Sequence, residues 1–269
     1  MIKCIELNKE FESREEMFKA LKENETKIIS LKKAAVKSSE GVAFTYYTKD
    51  DTTKSIEGLE KGFIYPVINT TNYLDSHGDV HFKGIWNKSA KEQQGNIFYL
   101  VNHSLEIGKV IAYPKDVQIS VKEIKWSDIG KEYEGTTEAL IFKTNVFDYS
   151  NKDAANVIAQ KLPAENSVRM QYVKIKLAMN STAKGDEQNK AYYDNKINEV
   201  ANKEVAEEQG YFWGIEEAKI SREGSMVLLG SNDATPIIYI DEADTKSLQE
   251  IEAEKSLHDV QTLFKNIKI

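Results

Sequence analysis

The chain has 269 residues, 29% of them charged, with 36 Lys and Arg against 43 Asp and Glu and a net charge of -7. Only three of the cations are arginines, Arg14, Arg169 and Arg222, which argues against clamping of phosphate backbones, where bidentate Arg is the preferred tool, so no nucleic-acid partner is expected. Cys4 is the single cysteine, and this excludes an intrachain disulfide and any zinc site built on several thiolates.

The opening MIKCIELNKEFESREE has no apolar h-region and is not expected to be a secretory signal. No apolar run approaches the roughly 20 residues of a membrane span, so a soluble protein made in a reducing compartment is expected, with no membrane partner. Ser13 followed three residues later by Glu16 forms a capping box, and Met17, Phe18, Leu21 and Ile28 recur at helical spacing. A helix is predicted there, followed by a polar linker over 38–61, so 1–61 forms an N-terminal appendage.

From Gly62 the texture is β, and 62–240 is predicted to be the main domain. Phe63 to Ile68, IFYLV at 97–101, the alternating Val117, Ile119 and Val121, and TEALIFKTNVF at 137–147 read as strands. Ser150 is expected to cap a helix that carries Asp153 in its first turn and stops at Pro163. SVRMQYVKIKLAM at 167–179 is the longest strand candidate. Its apolar phase slips from Val168, Met170 and Tyr172 to Val173, Ile175, Leu177 and Met179, which predicts a bulge or a change of buried side. A helical insertion is expected near 183–208, ending before Gly210. YFWGI and SMVLLG read as two further strands, and 241–269 as a C-terminal amphipathic helix. The fold class is α+β, a mostly antiparallel β core with peripheral helices.

Three places carry possible chemistry. Asp75, His77, Asp79 and His81 are dense in metal ligands, and a metal-dependent hydrolase would need at least three of them to converge. The competing reading, a polar turn leading into a strand, is favoured, and no metal or other cofactor is expected. His103 follows IFYLV at a strand end, where a scaffold holds an imidazole fixed and accessible; an ordinary hydrogen-bonded turn histidine fits equally well. Ser167 heads the long strand, where a nucleophile would need a base and oxyanion donors in reach. Arg169 lies two residues after it and Arg222 just before Glu223, so two of three arginines flank candidate residues.

The blocks LDSHGDVHFKGIWNKS, NHSLEIGKV, NSVRMQYVKIKLAMN and GYFWGIEEAKISREGSMVLLGSNDATP occur in that order. Together they resemble the prohead (capsid maturation) serine proteases of tailed phages, closest to the type in phages of Bacteroidetes hosts, over about residues 10–235. That family is similar in fold to the herpesvirus assemblin proteases, which implies an assemblin-like barrel.

The resemblance implies His103 as general base, Ser167 as nucleophile and Glu223 as the residue that orients the imidazole, with Glu217 a competitor for that third place. Arg169 stands where the family usually has Gly, so Arg169 and Arg222 are candidates for oxyanion or substrate binding. Implied substrates are the major capsid protein, scaffold segments and the protease's own termini, inside the immature capsid in the host bacterial cytoplasm, with a homo-oligomer possible. A catalytically silent protease-fold protein of the particle is the alternative.

Overall fold

The computed structural model of the chain describes residues 1–36 and 59–239. Most of the linker over 38–61 and all of the helix expected over 241–269 lie outside these residues. In chain order the elements are β1 (Ile2–Cys4), β2 (Lys9–Phe11), α1 (Arg14–Ala34), β3 (Ile64–Thr70), β4 (Asp79–His81), α2 (Asn87–Gln93), β5 (Phe98–Val101), β6 (Val110–Ala112), β7 (Gln118–Lys125), β8 (Thr136–Lys143), α3 (Lys152–Ala159), β9 (Glu165–Met179), α4 (Glu187–Lys196), α5 (Lys203–Gln209), β10 (Tyr211–Val227) and β11 (Ile237–Tyr239). The class is α+β, and most strand pairs are antiparallel.

β10 organises the first sheet. It pairs antiparallel with β9 along one side, and on the other side runs parallel to β4 at Trp213–Ile215 and to β5 at Glu223–Met226; β6 then adds to β5. The second sheet has the order β11-β3-β8-β7 and is antiparallel throughout. No strand pairing joins the two sheets among the described residues. The barrel implied by the family resemblance is therefore not closed: the first sheet ends at the three-residue β6, and the second at β7 and β11.

The main core lies where the two sheets and α1 meet. Ile68, Leu140 and Phe142 from the second sheet share it with Val168, Met170 and Ile220 from the first, and with Met17, Phe18 and Leu21 of α1. Burying these side chains contributes about 1.5–3 kcal/mol each. Ser13 caps α1 as expected, its Oγ accepting from the Glu16 N–H at 3.2 Å. The box is only half made, because the Glu16 carboxylate takes the Glu12 N–H instead.

Three local expectations need correction. YFWGI and SMVLLG are not two strands but the ends of one 17-residue strand, β10, which stops at Val227 and leaves Leu228 exposed. Asn151, not Ser150, caps α3 by accepting from the Ala154 N–H; Ser150 is drawn inward, where its Oγ donates to the Ile111 carbonyl. The strand read over 137–147 ends at Lys143.

The phase slip in β9 coincides with an irregularity in its pairing with β10 around Val173, which faces outward and is 43% exposed. A larger irregularity lies further along the ladder. Met170 pairs Ile220 and Val168 pairs Gly224, so Arg169 alone stands opposite Ser221, Arg222 and Glu223. Arg222 has φ +66° there. The Ile220 N–H is held by Ser89 Oγ of α2 at 2.8 Å. This bulge bends the strand and re-aims the side chains that follow it.

Candidate active site

Gly224 explains how the sheets approach beside the bulge. A Cβ there would stand 2.7 Å from Phe142 Cε2 and 3.0 Å from Ile68 Cγ2, so only glycine lets the second sheet pack this closely. Residues alternate in facing along a strand. With Gly224 turned to the core, Glu223 and Ser225 share the opposite face.

His103 arrives from the end of β5. Asn102 and His103 both have left-handed backbones, φ +52° and +53°, and the Ser104 N–H closes the turn onto the Val101 carbonyl at 3.1 Å. Asn accepts such a conformation readily; for His it costs about 1–2 kcal/mol. Two bonds hold the turn against β10. The Asn102 N–H donates to the Met226 carbonyl at 2.9 Å, and the His103 N–H to Ser225 Oγ at 3.1 Å.

This geometry brings the imidazole onto Glu223. His103 Nδ1 lies 2.7 Å from Glu223 Oε1, and Ser225 Oγ donates to the second carboxylate oxygen, Oε2, at 2.7 Å. The Glu223 and Ser225 side chains are fully buried, and that of His103 is 7% exposed. With Nδ1 committed to the carboxylate, the tautomer with its proton on Nδ1 is favoured and Nε2 is free to accept. His103 Nε2 is buried and makes no hydrogen bond among the described residues.

Ser167 is the direct cross-strand partner of Ser225. Paired residues in an antiparallel ladder point to the same face, with Cβ atoms about 4.5–5.5 Å apart. Ser167 thus stands on the face that carries Ser225, Glu223 and the His103 turn, and is 8% exposed. The bond from Ser167 to His103 Nε2 is not closed in this conformation; such bonds are often long before substrate binds. Ser167 also lines a small cavity of about 10 Å3 with His77, His81 and Asn232.

Glu217, the competitor, is elsewhere. Its carboxylate binds Lys174 Nζ at 2.9 Å and Lys88 Nζ at 3.7 Å, and the Lys174 bond holds its pKa below the ordinary carboxylate value. Ser225 was missed by the sequence reading. Its signal was the Glu-x-Ser spacing, which puts both side chains on one face of a strand.

The Asp75–His81 segment is a turn leading into β4, as favoured. Asp75 Oδ1 accepts from the backbone N–H of His77 and of Asp79, at 2.9 and 3.0 Å. Ligand atoms of Asp75, His77 and Asp79 do lie within 4.8 Å of one another. His81 does not join them; its ring meets Asn69 at 2.9 Å and Tyr172 at 3.3 Å. The Asp79 carboxylate is already taken by the Lys32 ammonium at 2.5 Å and the Tyr172 hydroxyl at 2.8 Å. Burial alone would pull the Lys32 pKa down, but the charges of Asp79 and Glu6 outweigh it and hold it above the ordinary value. A cation entering here would have to displace another cation.

Comparisons of the chain with protein-family models, curated proteins and solved structures find no match. Among the described residues, no helix is long and apolar enough to cross a membrane.

Proposed function

We propose that the protein is a serine endopeptidase that cleaves scaffold segments and the major capsid protein, and its own termini, during maturation of a phage prohead. The observation that carries this reading is the buried 2.7 Å contact between His103 Nδ1 and Glu223 Oε1, which leaves Nε2 without a hydrogen bond among the described residues, with Ser167 on the same sheet face as the cross-strand partner of Ser225. A histidine so held has one nitrogen fixed by a carboxylate and the other free for proton transfer, as in a Ser-His-acid unit.

In this mechanism Ser167 Oγ attacks the scissile carbonyl carbon while its proton passes to His103 Nε2. Glu223 stabilises the imidazolium that results. Collapse of the tetrahedral adduct breaks the C–N bond, and the leaving amine takes the proton from Nε2. Water, deprotonated by the same nitrogen, then hydrolyses the acyl-Ser167 ester and restores the hydroxyl. Three side chains are sufficient for every proton in the cycle.

The competing reading is a catalytically silent protein of the same fold acting as a scaffold or internal capsid component. Co-expression with the major capsid protein separates the two. The wild type is expected to shorten the capsid protein and Ser167→Ala to leave it intact. Uncut capsid protein with both, under conditions that assemble proheads, would favour the silent protein.

A further inference from the structure

A cleft of about 740 Å3 is lined by Leu105, two residues after His103, and by Arg222, the neighbour of Glu223, and its wall carries Arg169, Arg222 and Lys219 but no carboxylate among the described residues. None of the three cations has a hydrogen-bond or ion-pair partner among the described residues. In a chain of net charge -7 with three arginines, two arginines on one unneutralised wall form a local reversal of charge.

The bulge creates this arrangement. Arg169 stands alone opposite Ser221–Glu223, so Arg222 and Arg169 face each other across a break in the ladder. Each is tied by sequence to the proposed chemistry: Arg222 precedes Glu223, and Arg169 follows Ser167 by two. Between the charges the wall is uncharged and mixed, with the apolar Phe98, the register partner of Glu223, and Leu105, 66% exposed, beside the neutral polar Gln93, Asn96 and Gln171.

We infer that this cleft binds acidic side chains of the substrate polypeptide next to the scissile bond, with Arg169, Arg222 and Lys219 as the specificity-determining residues. The choice of a polypeptide as occupant rests on the protease reading, and the acidic preference rests on the wall itself. Guanidinium groups pair carboxylates through two parallel bonds. Uncharged side chains, apolar and neutral polar, interleaved with the charges suit a peptide, whose successive residues alternate in facing, better than a phosphodiester chain, whose charges repeat at every unit.

The test uses the full-length Ser167→Ala protein and a fluorescein-labelled octapeptide of alternating Leu and Glu, compared by anisotropy with its Leu-Gln counterpart. The Glu peptide is expected to bind at least about tenfold more tightly at low salt, with the difference lost near 0.5 M salt, as an exposed charge interaction requires. Arg169→Gln with Arg222→Gln should reduce the preference to under about threefold, and the separate Lys219→Gln should weaken it without removing it. Arg222 and Lys219 are exposed and Arg169 is half-buried, and unchanged thermal melting confirms that a variant is folded.

Equal affinity for the two peptides overturns the inference. So does full preference in the folded double variant, or tighter binding of a single-stranded oligonucleotide of equal charge. The fate of the protease reading is read separately, from wild-type cleavage of the capsid protein. Acidic preference without Ser167-dependent cleavage supports the cleft and counts against the protease. Cleavage without acidic preference does the reverse.

Discussion

His103 Nδ1 and Glu223 Oε1 lie 2.7 Å apart although 120 positions separate the two residues in the chain. Two backbone irregularities bring them together: the left-handed turn at Asn102–His103 and the bulge at Ser221–Glu223. The first lies at the end of β5 and the second at a break in the β9–β10 ladder. The sheet supplies stiffness, and the irregular residues aim the side chains.

If Glu223 orients the imidazole, Glu223→Gln keeps the shape and loses the charge. Peptidase kcat should fall by about three to four orders of magnitude, the scale of losing the acid in such a unit. Glu217→Gln should leave kcat within about twofold, because that side chain is engaged by Lys174 and Lys88. Parallel kinetics of the two variants check the assignment, and a larger loss with Glu217→Gln would reverse it.

Ser225 touches both partners of the pair, accepting from the His103 N–H and donating to Glu223. It acts as a positioning residue. Ser225→Ala removes one bond to a charged group, worth about 1.5–3 kcal/mol. That converts to a kcat decrease of about 10- to 100-fold with KM little changed. Ser225→Thr, which keeps the hydroxyl, should recover part of the loss, whereas a purely space-filling role would give no such rescue.

Gly224→Ala should destabilise the fold by about 1–3 kcal/mol, read by denaturant titration, because the added methyl meets Phe142 and Ile68 in a packed core. The shift should also disturb its neighbours, so peptidase activity is expected to fall with stability.

Lys32 and Asp79 form a buried ion pair across 47 positions. Lys32→Met leaves Asp79 without its cation and should cost about 3–5 kcal/mol. Because the folded-state pKa of Lys32 is raised above its ordinary 10.5, the stabilisation is fully present below about pH 10.5. It is lost as pH rises through the folded-state value. Alkaline melting curves of wild type and Lys32→Met should therefore converge. Chelator should change neither melting nor cleavage, since the lysine already neutralises the site.

The sequence made the periodic parts of the fold legible. Capping and 3.6-residue spacing located α1, short apolar runs located β3 and β5, alternation located β7 and β9, and the slip at Val173 announced a pairing irregularity. Glu223 read as a partner of His103 only through the family resemblance, because nothing local announces a contact over 120 positions. A separation of 47 positions likewise hid Lys32 from Asp79, which made the Asp75–His81 segment look richer in open ligands than it is. Ser225 carried only the Glu-x-Ser spacing, which puts it on the face of Glu223 but does not announce its bonds to Glu223 and His103. The two predicted strands merged into β10 because the break at Ser221–Glu223 is short: pairing with β9 resumes at Gly224, and β5 pairs with Glu223–Met226.

Labelling with a fluorophosphonate, followed by intact-mass and peptide mapping, tests most directly whether Ser167 and His103 act as one catalytic unit. The wild type should take up a single adduct on Ser167. His103→Ala should abolish that adduct, and His77→Ala, which alters the small cavity on which Ser167 also borders, should retain it. No adduct on Ser167 in the folded wild type, or an adduct that survives His103→Ala and is lost in His77→Ala, would contradict the account.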